Sequence, residues 1–311
     1  MSNQPTPIDD AEVQGIRPWL ASLMLKRGGE FLPRFAFYYR RLARRPRHWR
    51  RKLRRQLAVT VTGAALLLAM GGVQAQVEPG APENVITVLN GEWRVAENNR
   101  CSLGEAIRNA NNQTTGIAHD DCAAGNPAGA DTINLPVNGL FTLTAAFGTP
   151  NQYGSTGLPW VNSTVTINGN GSTIRRSGTA PDFRIMAVGP TGNLTLNDVT
   201  VSGGLVSASY GDHDYDGIYF GGAGILNRGQ LTISRSAISN NHVDVDARGT
   251  VEGGGISNGG QLTLSDSAVS GNSVTHWGGD YGAGGGGIYN SSSASLVING
   301  SAVSGNSAFG E

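Results

Sequence analysis

Three copies of a repeat, spaced 31 and 32 residues apart, constrain the fold of this chain more than any other feature. The segments GGAGILNRGQLTISRSAISNN, GGGISNGGQLTLSDSAVSGNS and GGGGIYNSSSASLVINGSAVSGNS align on Ile225, Ile256 and Ile288. After each isoleucine come an apolar pair two residues apart and, five positions later, one more apolar residue. These residues are Leu231, Ile233 and Ile238; Leu262, Leu264 and Val269; and Leu296, Ile298 and Val303, with a weaker copy at Leu194, Leu196 and Val201. A fixed period of this kind predicts stacked structural units, not a linker.

The spacing within each repeat predicts short strands. Apolar residues two apart place their side chains on one face of a strand, and the intervening Gly, Asn and Ser tolerate tight turns. Three such strands cannot form a core alone, but stacked coils bury a continuous column of Ile, Leu and Val. The sequence therefore predicts an all-β parallel β-helix, which should be right-handed because parallel crossovers nearly always are. Asn227, Asn258 and Asn290 recur after the isoleucines and should form an amide ladder with a spacing of about 4.8 Å.

The GGxI and SGNS segments resemble the GGAI/FxxN repeats of the polymorphic outer-membrane protein family, with Ser where that family often has Phe. The resemblance covers roughly the last third of the chain, and it is clearest over residues 221–307. It implies a right-handed, pectin-lyase-like solenoid at the cell surface with an adhesin-like role. The ligands of such a module would be cell-surface glycans or proteins.

Positive and negative charges are segregated along the chain. Residues 1–75 contain 14 Lys and Arg against 4 Asp and Glu, whereas the remainder contains 9 Arg against 19 acidic residues. The net charge of zero therefore hides a basic segment and an acidic body. Because phosphate contacts require a basic face, the acidic body argues against nucleic-acid binding.

Residues 1–75 have the features of a secretory signal peptide with an extended N-terminal region. The basic stretch RRKLRR precedes the apolar run LAVTVTGAALLLAM, and the small-residue site Val73-Gln74-Ala75 follows. This order predicts export to the periplasm, the cell surface or the medium, with cleavage after Ala75. The apolar run is 14 residues long, which is short for a membrane span, so we expect no transmembrane helix in the mature chain. An uncleaved signal anchor is the alternative.

Cys101 and Cys122 are the only cysteines, and both lie in the exported part. In an oxidising compartment the simplest expectation is a disulfide, and two free buried thiols are the alternative. The segment CSLGEAIRNANN predicts a short helix, because Ser102 and Glu105 can form a capping box. Its apolar stripe consists of Leu103, Ala106, Ile107 and Ala110. Such a helix should cover the open end of the stacked strands.

The segment from Cys101 to residue 144, which includes GADTINLPVNGLFTLT, resembles the CSLREA domain of secreted β-helical proteins, with Gly104 in place of the Arg. This resemblance implies export and the start of a β-helix, and it implies no activity. The predicted organisation is a signal peptide (1–75), a linker (76–83), a β-helix cap with a disulfide loop (84–144) and β-helix coils (145–311). Residues 145–163 should form a protruding loop, whose aromatic residues pack over a coil end or stack on sugars.

The residues of the coils favour a structural or adhesive module over an enzyme. Lyases of this fold need a strong base beside calcium-binding carboxylates, and hydrolases need facing carboxylates. Asp198 and Asp266 look isolated, and Arg175 and Arg176 have no carboxylate partner nearby in sequence. We therefore expect no catalysis and no required cofactor. A secreted polysaccharide lyase or glycosidase is the alternative, which carboxylates within about 10 Å of each other would favour.

Acidic residues and histidines recur between each SGN-type segment and the next glycine run. They are Asp212, His213, Asp214 and Asp216; His242, Asp244 and Asp246; and His276 and Asp280. If these segments are equivalent loops, they should form one acidic, histidine-bearing ridge. Asp212, Asp214 and Asp216 also have the D-x-D-x-D-G spacing of calcium loops, although Ala223 stands where such a loop has its bidentate Glu. Calcium binding is one interpretation, and a solvated acidic loop is the other.

Overall fold

The repeats stack as successive coils of a parallel β-solenoid, as the sequence predicts. The structure, a computed structural model, describes residues 84–111, 121–127, 129–151, 153–208, 220–246, 251–277 and 282–310. These residues belong to one unit, Pro79–Glu311. The predicted signal peptide and its cleavage site after Ala75 lie outside the described residues. Within the described ranges, no helix is long and apolar enough to cross a membrane.

The first part of the described chain has strands of irregular length and one helix. Its elements are β1 (Asn84–Thr87), α1 (Leu103–Asn111), β2 (Asp131–Asn134), β3 (Leu140–Leu143), β4 (Phe147–Asn151), β5 (Gly154–Thr156), β6 (Thr164–Arg176), β7 (Met186–Val188), β8 (Asn193–Ser202) and β9 (Leu205–Ala208). The irregular spacing of the apolar residues before residue 190 corresponds to these unequal coils.

Three coils of five strands each follow. They are β10 (Phe220–Gly221), β11 (Ile225–Asn227), β12 (Gln230–Ser234), β13 (Ala237–Ser239) and β14 (His242–Val245); then β15 (Val251–Glu252), β16 (Ile256–Asn258), β17 (Gln261–Ser265), β18 (Ala268–Ser270) and β19 (Ser273–His276); then β20 (Ala283–Gly284), β21 (Ile288–Asn290), β22 (Ser295–Asn299), β23 (Ala302–Ser304) and β24 (Ser307–Gly310). The sequence pattern predicts three strands per repeat, which is too few. The additional strands precede the glycine run and follow the SGN segment.

Strands of successive coils pair in parallel and in register. The longest ladder runs in the order β1, β2, β6, β8, β12, β17, β22. Two four-stranded ladders, β7–β11–β16–β21 and β9–β14–β19–β24, and a three-stranded ladder, β10–β15–β20, form other faces. The second half of β8 pairs with β13, which pairs with β18, which pairs with β23.

The predicted alignment of the repeats is confirmed residue by residue. Ile225 lies opposite Ile256, which lies opposite Ile288. The apolar pair is aligned in the same way, and Leu194 and Leu196 join its column as the weaker copy. One member of the predicted inward column differs, because Ile298 is 44% exposed. Among the described residues, no strand stacks on the free edge of β22, so the core column is bare there.

The segments after the SGN motifs enclose a second, smaller core. It contains Ala208, Phe220, Ala223, Val243, Val245, Val251 and Val274. These residues come from the β9–β14–β19 ladder and from the short strands β10 and β15, except Ala223, which lies between β10 and β11. The alternation of Val243 and Val245 with His242 and Asp244 therefore belongs to a strand, β14, whose inner face is buried.

The predicted helix, its capping box and the disulfide are confirmed. The Ser102 backbone N–H donates to the Glu105 carboxylate at 2.9 Å, and the Glu105 N–H donates to Ser102 Oγ at 3.2 Å, which together form the capping box. The apolar stripe of α1 is fully buried in the main core. Cys101 and Cys122 form a disulfide with a Cα–Cα distance of 4.5 Å. The helix packs against β2 and β6, and its apolar stripe closes the main core in this first part of the stack.

The predicted protruding loop at residues 145–163 is wrong in part. It contains an antiparallel hairpin of β4 and β5, and two of its later residues, Leu158 and Val161, are fully buried. Val161 also forms a parallel bridge to Val188. The end of the segment is thus part of the stack. Its Gly and Pro residues indicate turns, so the sequence did not predict the strand pairing.

Candidate functional site

The predicted calcium loop lies outside the described residues. Asp212, Asp214 and Asp216 are outside them, and so are His213 and Asp280. Within the described ranges, no group of three or more His, Cys, Asp or Glu side chains is placed to hold a metal ion. Calcium binding by Asp212, Asp214 and Asp216 therefore stays a prediction.

The described part of the predicted acidic ridge is organised differently from the expectation. His242 and Asp244 lie on β14, and His276 is the last residue of β19 and is fully buried. In the ladder, His242 lies opposite Ser273, and His276 lies opposite Val245. The two histidines thus occupy positions of opposite parity, and their side chains point to opposite faces of the sheet. A single histidine-bearing ridge is not formed by these residues.

The outer face of β14, β19 and β24 carries the residues His242, Asp244, Ser273, Trp277 and Phe309, which we term the Trp277 patch. The indole Nε1–H of Trp277 donates to Asp244 Oδ1 at 3.1 Å. The Trp277 and Phe309 rings lie 5.4 Å apart between centroids, with an angle of 56° between their planes. His242 Nδ1 lies 2.6 Å from Ser273 Oγ. Aromatic, acidic, imidazole and hydroxyl groups from adjacent coils therefore meet on one exposed face.

The Trp277 patch contains the residue types of a Ser–His–Asp triad but lacks its geometry. His242 Nε2 is 3.9 Å from Asp244 Oδ2, which exceeds hydrogen-bonding distance. The carboxylate is engaged by Trp277 instead, so it does not orient the imidazole as a triad requires. The arrangement is suited to hydrogen bonding with a ligand and not to activation of the serine.

A shallow groove crosses the corner between the two halves of the main ladder. Its volume is about 390 Å³, and its lining includes Asp198, Arg235 and Asp266. These three residues stand at equivalent corners of successive coils, with φ values of 51°, 47° and 49°. The fourth corner is Gly300, where an added Cβ would lie 2.5 Å from Asp266 Oδ1. The left-handed backbone of the corner brings the side chains of different coils into one row.

Asp198 and Asp266, which look isolated in the sequence, therefore share one groove. Arg235 Nη2 lies 3.3 Å from Asp198 Oδ2 in an exposed ion pair. Because neighbouring strands lie about 4.8 Å apart, two corners separated by one intervening coil lie about 10 Å apart. This row was not predictable from the sequence, because the corner residues differ in type and the coil lengths are unequal. The expectation for Arg176 is also wrong, since its Nη2 lies 3.4 Å from Asp182 Oδ1.

Two aromatic residues of the hairpin segment, Tyr153 and Trp160, pack against each other, and Tyr153 also packs against Arg228 of a coil. The rings of Tyr153 and Trp160 lie 5.4 Å apart. The Arg228 guanidinium lies 4.4 Å from the centroid of the Tyr153 ring, within the range of a cation–π contact. One face of Tyr153 is thus covered by Arg228, which favours packing over sugar stacking at this residue.

Comparison of the chain with protein-family models, with curated proteins and with solved structures finds no match. The fold and the chemistry of its surface are therefore the basis for a functional assignment.

Proposed function

We propose that this chain is an exported, surface-associated β-solenoid that serves as a structural or adhesive module without catalysis. The observation that carries the proposal is the outer face of the main ladder. There, Thr166, Thr195, Thr232 and Thr263 lie in register on four successive coils. The flanking columns on these coils carry Asn, Gln, Ser and Thr, so this face is an uncharged array of hydroxyl and amide groups, which ends at Val297 in the last coil. An array of this kind offers many equivalent hydrogen bonds to an extended ligand and no reactive group.

Two further features support export and a location outside the cytosol. Cys101 and Cys122 are paired, and disulfides persist in oxidising compartments. The basic and apolar stretches before Ala75 have the order of a signal peptide. The resemblances to CSLREA domains and to polymorphic outer-membrane protein repeats point in the same direction.

The corner groove favours a second candidate, a secreted polysaccharide lyase or glycosidase. Asp198 and Asp266 lie about two strand spacings apart, close to the separation of the carboxyl groups in inverting glycosidases. However, Asp198 forms an ion pair with Arg235 at 3.3 Å. Arg235 therefore occupies the position between the carboxylates where a substrate bond would have to lie, and we rank this candidate second.

The experiment that tests the proposal is expression of the full chain in a bacterial host, followed by fractionation, N-terminal sequencing and adhesion assays. We expect material outside the cytosol that begins at Gln76 and promotes binding of cells to glycan-coated or matrix-coated surfaces. The matched control is Ala75→Arg, which should block cleavage because the site requires a small residue. Recovery of the uncleaved wild-type chain in the cytosol would contradict the proposal.

The same material distinguishes the second candidate. Uronan lyase and glycosidase assays with the wild type, Asp198→Asn and Asp266→Asn should all give the rate of the buffer alone. An activity that is present in the wild type and lost in both variants would show that the protein is an enzyme and would contradict the proposal of a module without catalysis.

A further inference from the structure

The Trp277 patch exposes two large aromatic side chains on a strand face that is otherwise small and polar. Trp277 is 48% exposed and Phe309 is 49% exposed. Strand parity explains the exposure of Trp277. Val274 and His276 are buried, so Thr275 and the residue after His276 lie on the outer side. Phe309 lies opposite Thr275 in the ladder, so it lies on the same outer face.

Hydrogen bonds hold the indole of Trp277 in place. Its backbone N–H donates to Val245 O at 3.0 Å, and its Nε1–H donates to Asp244 Oδ1 at 3.1 Å. The ring therefore extends from the coil of Asp244 to the coil of Phe309. Because both its main chain and its side chain are bonded, little conformational entropy is lost when a ligand stacks on it.

Polar groups border the aromatic rings on one side. Asp244 Oδ2 lies beyond hydrogen-bonding distance of His242 at 3.9 Å, so this oxygen can accept hydrogen bonds from a ligand. His242 and Ser273 bond to each other at 2.6 Å, and a ring nitrogen of His242 faces the carboxylate. A ligand for this patch needs an apolar face for the rings and several hydroxyl donors at its edge.

The size and charge of the patch narrow the class of ligand. A stable protein partner needs about 800 Å² on each side, but the neighbouring outward positions carry Ser207 and Thr275, which extend no apolar surface. A phosphate or uronate would be repelled by Asp244. It would also be repelled by the net negative charge of residues 76–311, which contain 19 acidic residues and 9 Arg. An uncharged pyranose satisfies both conditions, because its C–H face is apolar and its rim carries hydroxyl groups.

We infer that the Trp277 patch binds an uncharged saccharide, an inference that rests on the proposed adhesive function and names its ligand class. Trp277 and Phe309 stack on the C–H faces of the sugar rings. Asp244 Oδ2 accepts from sugar hydroxyls, and His242 and Ser273 complete the polar edge.

The test is calorimetry and tryptophan fluorescence of the exported full chain with cellohexaose, chitohexaose and mannohexaose, and with hexagalacturonate as the acidic comparison. We expect one or more of the uncharged sugars to bind with perturbation of tryptophan emission, and hexagalacturonate to bind more weakly. Trp277→Ala should reduce the affinity by at least about tenfold. Trp277→Phe should retain binding within about threefold but lose most of the emission change, since stacking survives without the indole.

Controls separate the patch from other aromatic surfaces and from misfolding. Trp160→Ala removes a different tryptophan and should leave the affinity unchanged, and thermal melts should show that each variant is folded. If Trp277→Ala disturbs the fold, Asp244→Ala is the second variant, and it should bind the saccharide more weakly than the wild type. Asp244→Asn should retain more of the affinity than Asp244→Ala. Equal binding by the wild type and the folded Trp277→Ala variant overturns the inference. So does the absence of binding by every uncharged hexasaccharide at millimolar concentration.

Cell adhesion distinguishes failure of the inference from failure of the proposed function. If the wild type adheres only to matrix proteins, or if Trp277→Ala adheres to glycans as strongly as the wild type, the saccharide site is contradicted. The proposed adhesive function is then unaffected. A wild-type chain that is neither exported nor adhesive contradicts the proposed function itself.

Discussion

Asn227 donates a hydrogen bond from Nδ2 to Oδ1 of Asn258 in the next coil at 2.7 Å, and both side chains are fully buried. Asn258 in turn donates to Oδ1 of Asn290 at 2.6 Å and to the Ser295 carbonyl at 2.9 Å. Each of the first two amides thus donates to the amide of the next coil, and the ladder lies at the turn that follows β11, β16 and β21. A buried polar column of this kind is stabilising only while all its members are paired.

Asn258→Ala should therefore lower the free energy of unfolding by about 1–3 kcal/mol, because it leaves buried amide and carbonyl groups without partners. The exposed Asn299 on β22 is the matched control, and Asn299→Ala should change stability by no more than about 0.5 kcal/mol. Urea unfolding of both variants measures the difference. Equal stabilities would show that the ladder contributes nothing beyond solvated amides.

Ile256→Asp should abolish the cooperative unfolding transition of the repeats. Ile256 is fully buried between Ile225 and Ile288 of the neighbouring coils, and an unpaired carboxylate in the core has a large desolvation cost. Gln261→Asp introduces the same charge at an exposed position of the next strand and should melt close to the wild type. Thermal melts followed by circular dichroism test the pair. A wild-type melt for Ile256→Asp would contradict the register.

The repeats were predictable from the sequence because their apolar residues recur at fixed offsets, as for Ile225, Ile256 and Ile288. A second amide ladder went unrecognised, although the Asn of each SGN-type segment recurs just as regularly. Asn241 donates to Asn272 at 2.9 Å, and Asn272 donates to Asn306 at the same distance. This Asn stands next to Gly and Ser, which indicates a turn at the surface, so the sequence did not predict that its side chain is buried.

The surface features were harder to predict because they depend on the pairing between coils. The alternation in His242-Val243-Asp244-Val245 is the signal of a half-buried strand, but the charged residues indicated a loop. Trp277 reaches Asp244, which lies 33 residues earlier, and Arg235 reaches Asp198, which lies 37 residues earlier. Arg235 contacts the residue at its own register separation, 37 as for Leu194 and Leu231. The register separation at Trp277 is 31, as for His242 and Ser273, so the indole reaches two residues further back along β14. Only the register of the ladders brings such residues together.

The capping box of α1 should contribute measurably to stability. Ser102→Ala removes the acceptor of the Glu105 N–H and should cost about 1 kcal/mol. Glu105→Ala should cost more, because its carboxylate also accepts from the Ala96 N–H at 2.8 Å and these donors are buried or partly buried. Urea unfolding of the two variants and of the double variant gives the coupling energy between the residues. Strict additivity would mean that the two side chains act independently and do not form a box.

Tyr289 on β21 lies beside Glu252 of the preceding coil, and this contact affects its ionisation. The pKa of Tyr289 is raised above its ordinary value of 10.0, first by a hydrogen bond to the Glu252 carboxylate, then by the negative charge of Glu252 and by burial. A raised folded-state pKa means that the neutral phenol stabilises the fold. This contribution is fully present below the unfolded-state pKa and is lost as the pH rises through the folded-state pKa.

Glu252→Gln should return the pKa of Tyr289 towards its ordinary value, because the amide keeps a hydrogen-bond acceptor but removes the charge. The measurement is the ultraviolet titration of phenolate absorbance, with Tyr289→Phe subtracted to isolate this residue from the other tyrosines. The stability of the wild type should fall more steeply in alkaline solution than that of Tyr289→Phe. The pKa of Tyr289 is taken from the difference between the titrations with and without Tyr289→Phe. If this pKa is the same when residue 252 is Glu and when it is Gln, the carboxylate is not the cause of the raised pKa.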